Sequence, residues 1–284
     1  MVENALQSGL LGCALEMLSS LLTALEEGME DALAVLLPID VLQLLTSVLV
    51  VWTARLRAED ADFGGGRAAA ESSSSSAAAQ ATAAAAADAP PPQPPPRVAA
   101  EVTPEVLAEA LHLLNMVAAC EMGCAALGGC GAAKTALLEL LAATDDAATQ
   151  QACVTVLASV DDVEALLLGS AIALEHVLGV LAAARDGVRV GAEEQEAAWS
   201  LISRSLRWAA GAAAPQPAEL LDLLCERAEL LADGRWETGS GAVVSHQRFV
   251  LGKLRGLLEG GAVGSSPAQQ HALTVIVRRL DGQR

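Results

Sequence analysis

Residues Gly128 to Thr135, GGCGAAKT, come within one residue of a phosphate-binding loop. That loop runs Gly-x-x-x-x-Gly-Lys-Ser/Thr, so that backbone amides wrap a phosphate and the lysine reaches it. Here Ala133 stands where the glycine before Lys134 is needed, and the residues upstream, ACEMGCAAL, are helical rather than strand-like. A Gly-rich bend between helices accounts for the segment better than a nucleotide site. Cys120, Cys124 and Cys130, with His112 nearby, raise zinc as a second chemistry. Structural zinc takes paired cysteine knuckles with a second matching pair, whereas i, i+4 cysteines are also how two small buried residues fall on a helix. Core packing is preferred to metal. The histidines His112, His176, His246 and His271 have no companion at a catalytic spacing, and neither Gly-x-Ser-x-Gly nor His-Glu-x-x-His occurs. The acidic doublets Asp145-Asp146 and Asp161-Asp162 read as caps that open helices rather than as a general acid and base. The chain is therefore expected to be non-enzymatic, with no cofactor, metal or small-molecule substrate.

Two other groups of residues suit recognition. Residues 1–214 carry the whole negative excess, while residues 215–284 are neutral and concentrate Arg248, Lys253, Arg255, Arg278, Arg279 and Arg284. Arg278 and Arg279 are set within the apolar stripe Leu273/Ile276/Val277/Leu280, and are expected to face solvent beside Arg248, Lys253 and Arg255. Such a patch would suit an acidic peptide, a phosphorylated tail or the acidic end of a second copy; the alternative is that these cations only complement helix C-termini. Pro92, Pro95 and Arg97 lie within PQPPPR, which fits the Pro-x-x-Pro-x-Arg ligand pattern of Src-homology-3 domains. The alternative there is a stiff polyproline spacer.

The elements that would position these groups are helices. Apolar residues make up 53 % of the 284 residues and aromatic ones only 2 %, with no Tyr. An Ala/Leu-rich chain poor in aromatics favours helix over sheet. Residues 1–57 read as an N-terminal helical segment, in which Pro38 bends the chain and Asp40 caps the next helix. Residues 58–102 mix Gly, Ser, Ala and Pro runs with little branched apolar surface, and are expected to be a disordered insertion. From Thr103, a cap followed by Pro104 at the first helical position, residues 103–284 return to helical periodicity.

Within that last region a pattern recurs. Leu137/Leu138/Leu140/Leu141, Val177/Leu178/Val180/Leu181 and Leu254/Leu257/Leu258 align, each followed by a polar loop. Each loop leads to a second apolar stripe: Cys153/Val156/Leu157/Val160, Trp199/Ile202/Leu206 and Leu273/Ile276/Val277/Leu280. Helix pairs of this kind bury their stripes only by stacking on neighbours. Trp199 and Trp208 are nine residues apart, half a turn around a helix, so one of them should be exposed.

Residues 110–160, with Asn115 in a Leu-rich helix and the Gly131-Ala132 bend, resemble an armadillo repeat. The resemblance to armadillo/HEAT-like proteins is best over residues 104–206, weaker over 241–281 and weakest over 1–57. It implies an all-α fold, a right-handed α-α superhelix, and a scaffold or adaptor that holds a protein partner along a concave surface. A helical subunit of a larger complex, touching its neighbours through the basic C-terminal patch, is the alternative; an unrecognised enzyme is the alternative from another class. A net charge of −18 repels phosphate backbones and disfavours general nucleic-acid binding. The apolar run Val41 to Ala54 would rise about 21 Å as a helix, short of a hydrocarbon core of about 30 Å, so no membrane span is expected. No secretory leader is legible in MVENALQSGLLG, and six cysteines without one suit a reducing compartment, cytoplasmic or nuclear.

Overall fold

The structure, a computed structural model, describes residues 15–16, 18–20, 41–64, 102–188, 190–211, 218–259 and 266–282. All regular structure among them is helical, with no strand. The elements are α1 (Val41–Gly64), α2 (Pro104–Ala118), α3 (Glu121–Gly129), α4 (Gly131–Ala143), α5 (Ala147–Ser159) and α6 (Glu164–Leu168). There follow α7 (Ala171–Arg185), α8 (Ala192–Gly211), α9 (Ala218–Glu226), α10 (Ala228–Leu231), a 3-10 turn (Gly234–Thr238), α11 (Gly241–Glu259) and α12 (Pro267–Asp281). Helix α1 thus continues seven residues past Arg57, the end expected from the sequence, and Val102 is already buried. Residues 65–101, which hold Pro92, Pro95 and Arg97, lie outside the described residues.

Local chemistry sets the helix starts. Thr103 accepts from the Val106 amide ahead of Pro104, Asp146 from Thr149 and Ser170 from Ala173. Ser266 and Gln269 form a reciprocal capping box before α12. The α2–α3 junction needs a glycine. The two helices meet at a 113° bend, and a Cβ on Gly123 would lie 2.0 Å from the Val117 carbonyl oxygen. The Asp161-Asp162 pair corrects an expectation. Helix α6 starts at Glu164 with no side-chain cap, and Asp162 sits in the left-handed region at φ 56°, turning the chain between α5 and α6. An acidic doublet before an apolar run suits a cap or a turn alike; only the backbone decides between them.

The apolar stripes pack in two rows. One runs α1–α4–α7, and the other runs α2–α5–α8–α11. Leu45 and Leu49 of α1 join Leu137, Leu140 and Leu141 of α4, while Leu113 and Leu114 of α2, Val156 of α5 and Trp199 of α8 are buried in the same core. Arg57 of α1 reaches Glu139 of α4 at 3.4 Å. Here the third helix pair read from the sequence changes register. Helix α11 was aligned with α4 and α7, yet it packs along α8 and so continues the row of second helices. The short helices α9 and α10 touch α7 in its place, and α12 packs against α9, α10 and α11. A Leu-x-x-Leu-Leu stripe suits either row, because both bury one helical face.

Helix α1 is long and apolar enough to cross a membrane by length and composition, and the bent pair α2–α3 would be a second candidate if counted as one span. In the fold, the α1 residues Val41, Leu44, Leu45, Val48, Leu49 and Val51 are buried in the protein core.

Candidate functional site

A groove of about 750 Å³ opens between α1, α2 and α5 and extends to the start of α8. Three helical stripes build it. Trp52, Leu56 and Glu59 follow i, i+4, i+7 on α1; Leu107, Leu111 and Asn115 descend α2; Ala148, Ala152 and Thr155 descend α5. The small residues of α5 give the groove its depth, since larger side chains there would fill it. Trp52 and Leu56 are half-buried on one wall, and Leu107 and Leu111 form a buried floor.

The polar rim is of one sign. Glu59, Asp145, Asp146, Glu193 and Glu194 line the groove, and no Lys or Arg does among the described residues. Glu59 pairs with Arg55 at 3.0 Å, and the Arg55 guanidinium stands 5.4 Å from the Trp52 ring. Asp146 caps α5 through the Thr149 amide at 2.8 Å and hydroxyl at 2.7 Å. Glu193 and Glu194 occupy the first turn of α8, where the helix dipole favours carboxylates. His112 and Asn115 are the other hydrogen-bonding groups supplied by α2.

The residues first considered for chemistry are dispersed. Lys134 is buried in α4 and its amide bonds back to the Cys130 carbonyl, so the GGCGAAKT segment is a helix-to-helix junction. Cys120 caps α3, accepting from the Gly123 amide at 3.2 Å, and the Cys124 thiol donates to the Ser159 carbonyl at 2.8 Å. Among the described residues no three His, Cys, Asp or Glu side chains converge to hold a metal. Burial pushes the Cys153 thiol up to about 12 and the Cys225 thiol up to about 11, from an ordinary 9.0. A thiol protonated in the fold to about pH 12, but released near 9 when unfolded, contributes stability that is lost as pH rises between those values. Urea melts are therefore expected to show stability falling above about pH 9, with a shallower fall in Cys153→Ala. An unchanged slope would place the alkaline loss elsewhere.

The five cations grouped by sequence separate into different surroundings. Arg248 and Lys253 come together on the exposed side of α11, beside Phe249. Arg255 instead pairs with Glu259 at 2.7 Å and approaches Asp281 at 3.8 Å. Arg278 is exposed, but Arg279 is half-buried with its guanidinium 3.4 Å from where a Cβ on Gly234 would lie. The expectation that Arg278 and Arg279 both face solvent is thus corrected for Arg279. Adjacent helical residues point about 100° apart, so the two cannot share one face.

Arg207 of α8, which the sequence reading passed over, joins Arg248 and Lys253 instead. Its guanidinium lies 4.8 Å from the Phe249 ring centroid, and the Lys253 ammonium 5.8 Å. Burial lowers the His246 pKa; Glu196 opposes that shift and Arg207 adds to it. Of the tryptophans on α8, Trp199 is fully buried and Trp208 is 43 % exposed, as the half-turn between them requires.

Fold and site together define an all-helical protein with an open acidic groove along packed helices. No protein-family model, curated protein or solved structure matches the chain.

Proposed function

We propose that this protein is a non-enzymatic interaction scaffold or adaptor of armadillo- or HEAT-like construction. On this reading the two rows are the two layers of a right-handed α-α superhelix whose successive turns are helix pairs, and the groove holds a segment of a protein partner. Sequential packing along each row supports it, since stacked helical units bury their stripes against neighbours. The observation that carries the reading is the groove itself: an apolar floor and a tryptophan wall under a rim of carboxylates. Such a surface is complementary to a segment that alternates Lys or Arg with apolar side chains. The helical placement of the thiols fits a reducing compartment, cytoplasmic or nuclear.

The test compares partners captured by the wild-type chain with those captured by Trp52→Ala and by the pair Glu193→Lys/Glu194→Lys, quantified by mass spectrometry. A buried interface tryptophan is worth about 2 kcal/mol or more, so partners seated in the groove should be depleted about thirtyfold by Trp52→Ala. The charge reversal should remove the same set. Identical capture by all three, with circular dichroism unchanged, would exclude the groove as the binding surface.

A further inference from the structure

We propose a second docking surface, between α8 and α11, that takes an amphipathic helix whose apolar side chains are flanked by Asp or Glu. It is separate from the acidic groove and of the opposite sign. A shallow depression of about 510 Å³ is lined by Leu206, Phe249, Gly252, Gly256 and Leu257, with Arg248 and Lys253 at its edges. Arg207 closes over the Phe249 ring from α8.

Three observations converge on a missing anionic partner. Arg55, Arg57, Arg185, Arg204 and Arg255 each have a carboxylate within 4.0 Å. Arg207, Arg248 and Lys253 are exposed and have none among the described residues, a condition they share with Arg227 and Arg278, but these three are gathered at one depression, in a chain of net charge −18. Where acids outnumber bases two to one, three such cations at one depression, two of them against the Phe249 ring, form a local field of unusual sign. Second, Gly252 and Gly256 lie inside α11, and a Cβ on either would meet nothing within 4 Å. Glycine in a helix interior costs about 1 kcal/mol relative to alanine, and nothing packed against these two requires it. What the glycines do provide is bare backbone, which lets a second chain approach closely. Third, Phe249, Gly252, Lys253 and Gly256 follow i, i+3, i+4, i+7, so the strip runs along α11 for about 10 Å, two turns of a facing helix.

A peptide fits better than a nucleic acid. Arg207 already covers the Phe249 ring that a base would need for stacking, and the chain as a whole repels phosphate. Helix α8 carries Glu193 and Glu194 at the first groove and Leu206 and Arg207 at the second, about 20 Å further along. One rigid helix therefore fixes the spacing between an acidic and a basic docking surface, enough for two segments of opposite charge.

The test uses the full chain, deuterated and 15N-labelled, and a synthetic helical peptide of about 18 residues. The peptide carries Leu at i, i+4, i+7 and i+11 flanked by Glu; a twin carries Gln in place of Glu. The Glu peptide is expected to shift the amides of Phe249, Gly252 and Gly256. Its affinity should fall about tenfold or more in Arg248→Glu/Lys253→Glu, and by a similar factor when salt rises from about 0.05 to 0.5 M. The Gln twin should bind about tenfold more weakly. Gly252→Gln/Gly256→Gln fills the strip with better helix formers, so it should melt no earlier than wild type and lose the peptide. Equal binding of the twins, or full affinity in either variant pair, overturns the proposal. So does stronger binding of a single-stranded DNA oligonucleotide, or a dimer of the chain that Arg248→Glu/Lys253→Glu disperses.

Discussion

Arg204→Ala is expected to lower the stability of the fold by about 3–5 kcal/mol, the cost of leaving one partner of a largely buried ion pair alone. Arg204, on α8, donates from Nε to Glu164 Oε1 at 2.6 Å. The same guanidinium donates to the Ala158 carbonyl at 2.7 Å and the Val160 carbonyl at 2.7 Å. Those two carbonyls stand at the C-terminal end of α5, where the last carbonyl oxygens of a helix have no intrahelical N–H donors. Between them and Glu164 lies the left-handed Asp162 turn, so one side chain holds the α5–α6 junction from the neighbouring second-row helix. Its side chain is 22 % exposed and that of Glu164 only 11 %, so solvent screens little of the pair. Urea melts of Arg204→Ala, Glu164→Gln and the double variant separate the terms: Glu164→Gln keeps an acceptor and should cost less. A loss under about 1 kcal/mol for Arg204→Ala would class the contact with ordinary surface bridges.

Arg204 also shows where the sequence stops informing. Its partners are 40 to 46 residues away, and nothing in SLISRSLRWAA distinguishes it from Arg207, three residues on, which is exposed. Local signals fared differently. Thr103-Pro104 and Asp146 begin helices as their types require, and the nine-residue spacing of the two tryptophans separated a buried one from an exposed one. These outcomes depend on geometry inside one helix. Row membership does not: the stripe of α11 matches a first helix, and only its contact with α8 sets it in the second row. The acidic groove was hidden for the same reason. The Trp52–Glu59 stripe, Leu111 and Glu193 sit on three helices far apart in sequence, and only the packing of α1 on α2, α2 on α5 and α5 on α8 brings them to one surface. The Trp52/Leu56/Glu59 stripe at i, i+4, i+7, which carries the buried face of Val41, Leu45 and Val48 on towards the end of α1, was the one local signal available.

Trp199→Ala is expected to cost about 3–5 kcal/mol, as truncating a fully buried tryptophan leaves a cavity the neighbours fill only in part. Trp199 has no solvent exposure. Its ring meets Trp236 edge to face, with centroids 5.8 Å apart and planes at 79°, an arrangement the ring quadrupoles favour. Trp236 belongs to the 3-10 turn and donates from Nε1 to the Leu230 carbonyl at 2.8 Å. Gln247 of α11 donates to the Leu231 carbonyl at 2.8 Å and the Asp233 carbonyl at 3.0 Å. The aromatic pair therefore ties α8 to the turn, and Gln247 ties the turn to α11, beneath the strip that carries Phe249 and Gly252. The Trp199 indole N–H finds no acceptor among the described residues, so Trp199→Phe removes a buried donor along with some volume. That variant should cost only about 1–2 kcal/mol, because the lost packing is partly offset by the removed donor. Hydrogen exchange supplies the local reading: amides of α11, which packs on both α8 and the turn, should lose protection in Trp199→Ala before those of α4, which packs on α1, α5 and α7. Equal loss of protection in both helices would mean that the core unfolds as one unit and that the Trp199–Trp236 contact has no special hold on α11.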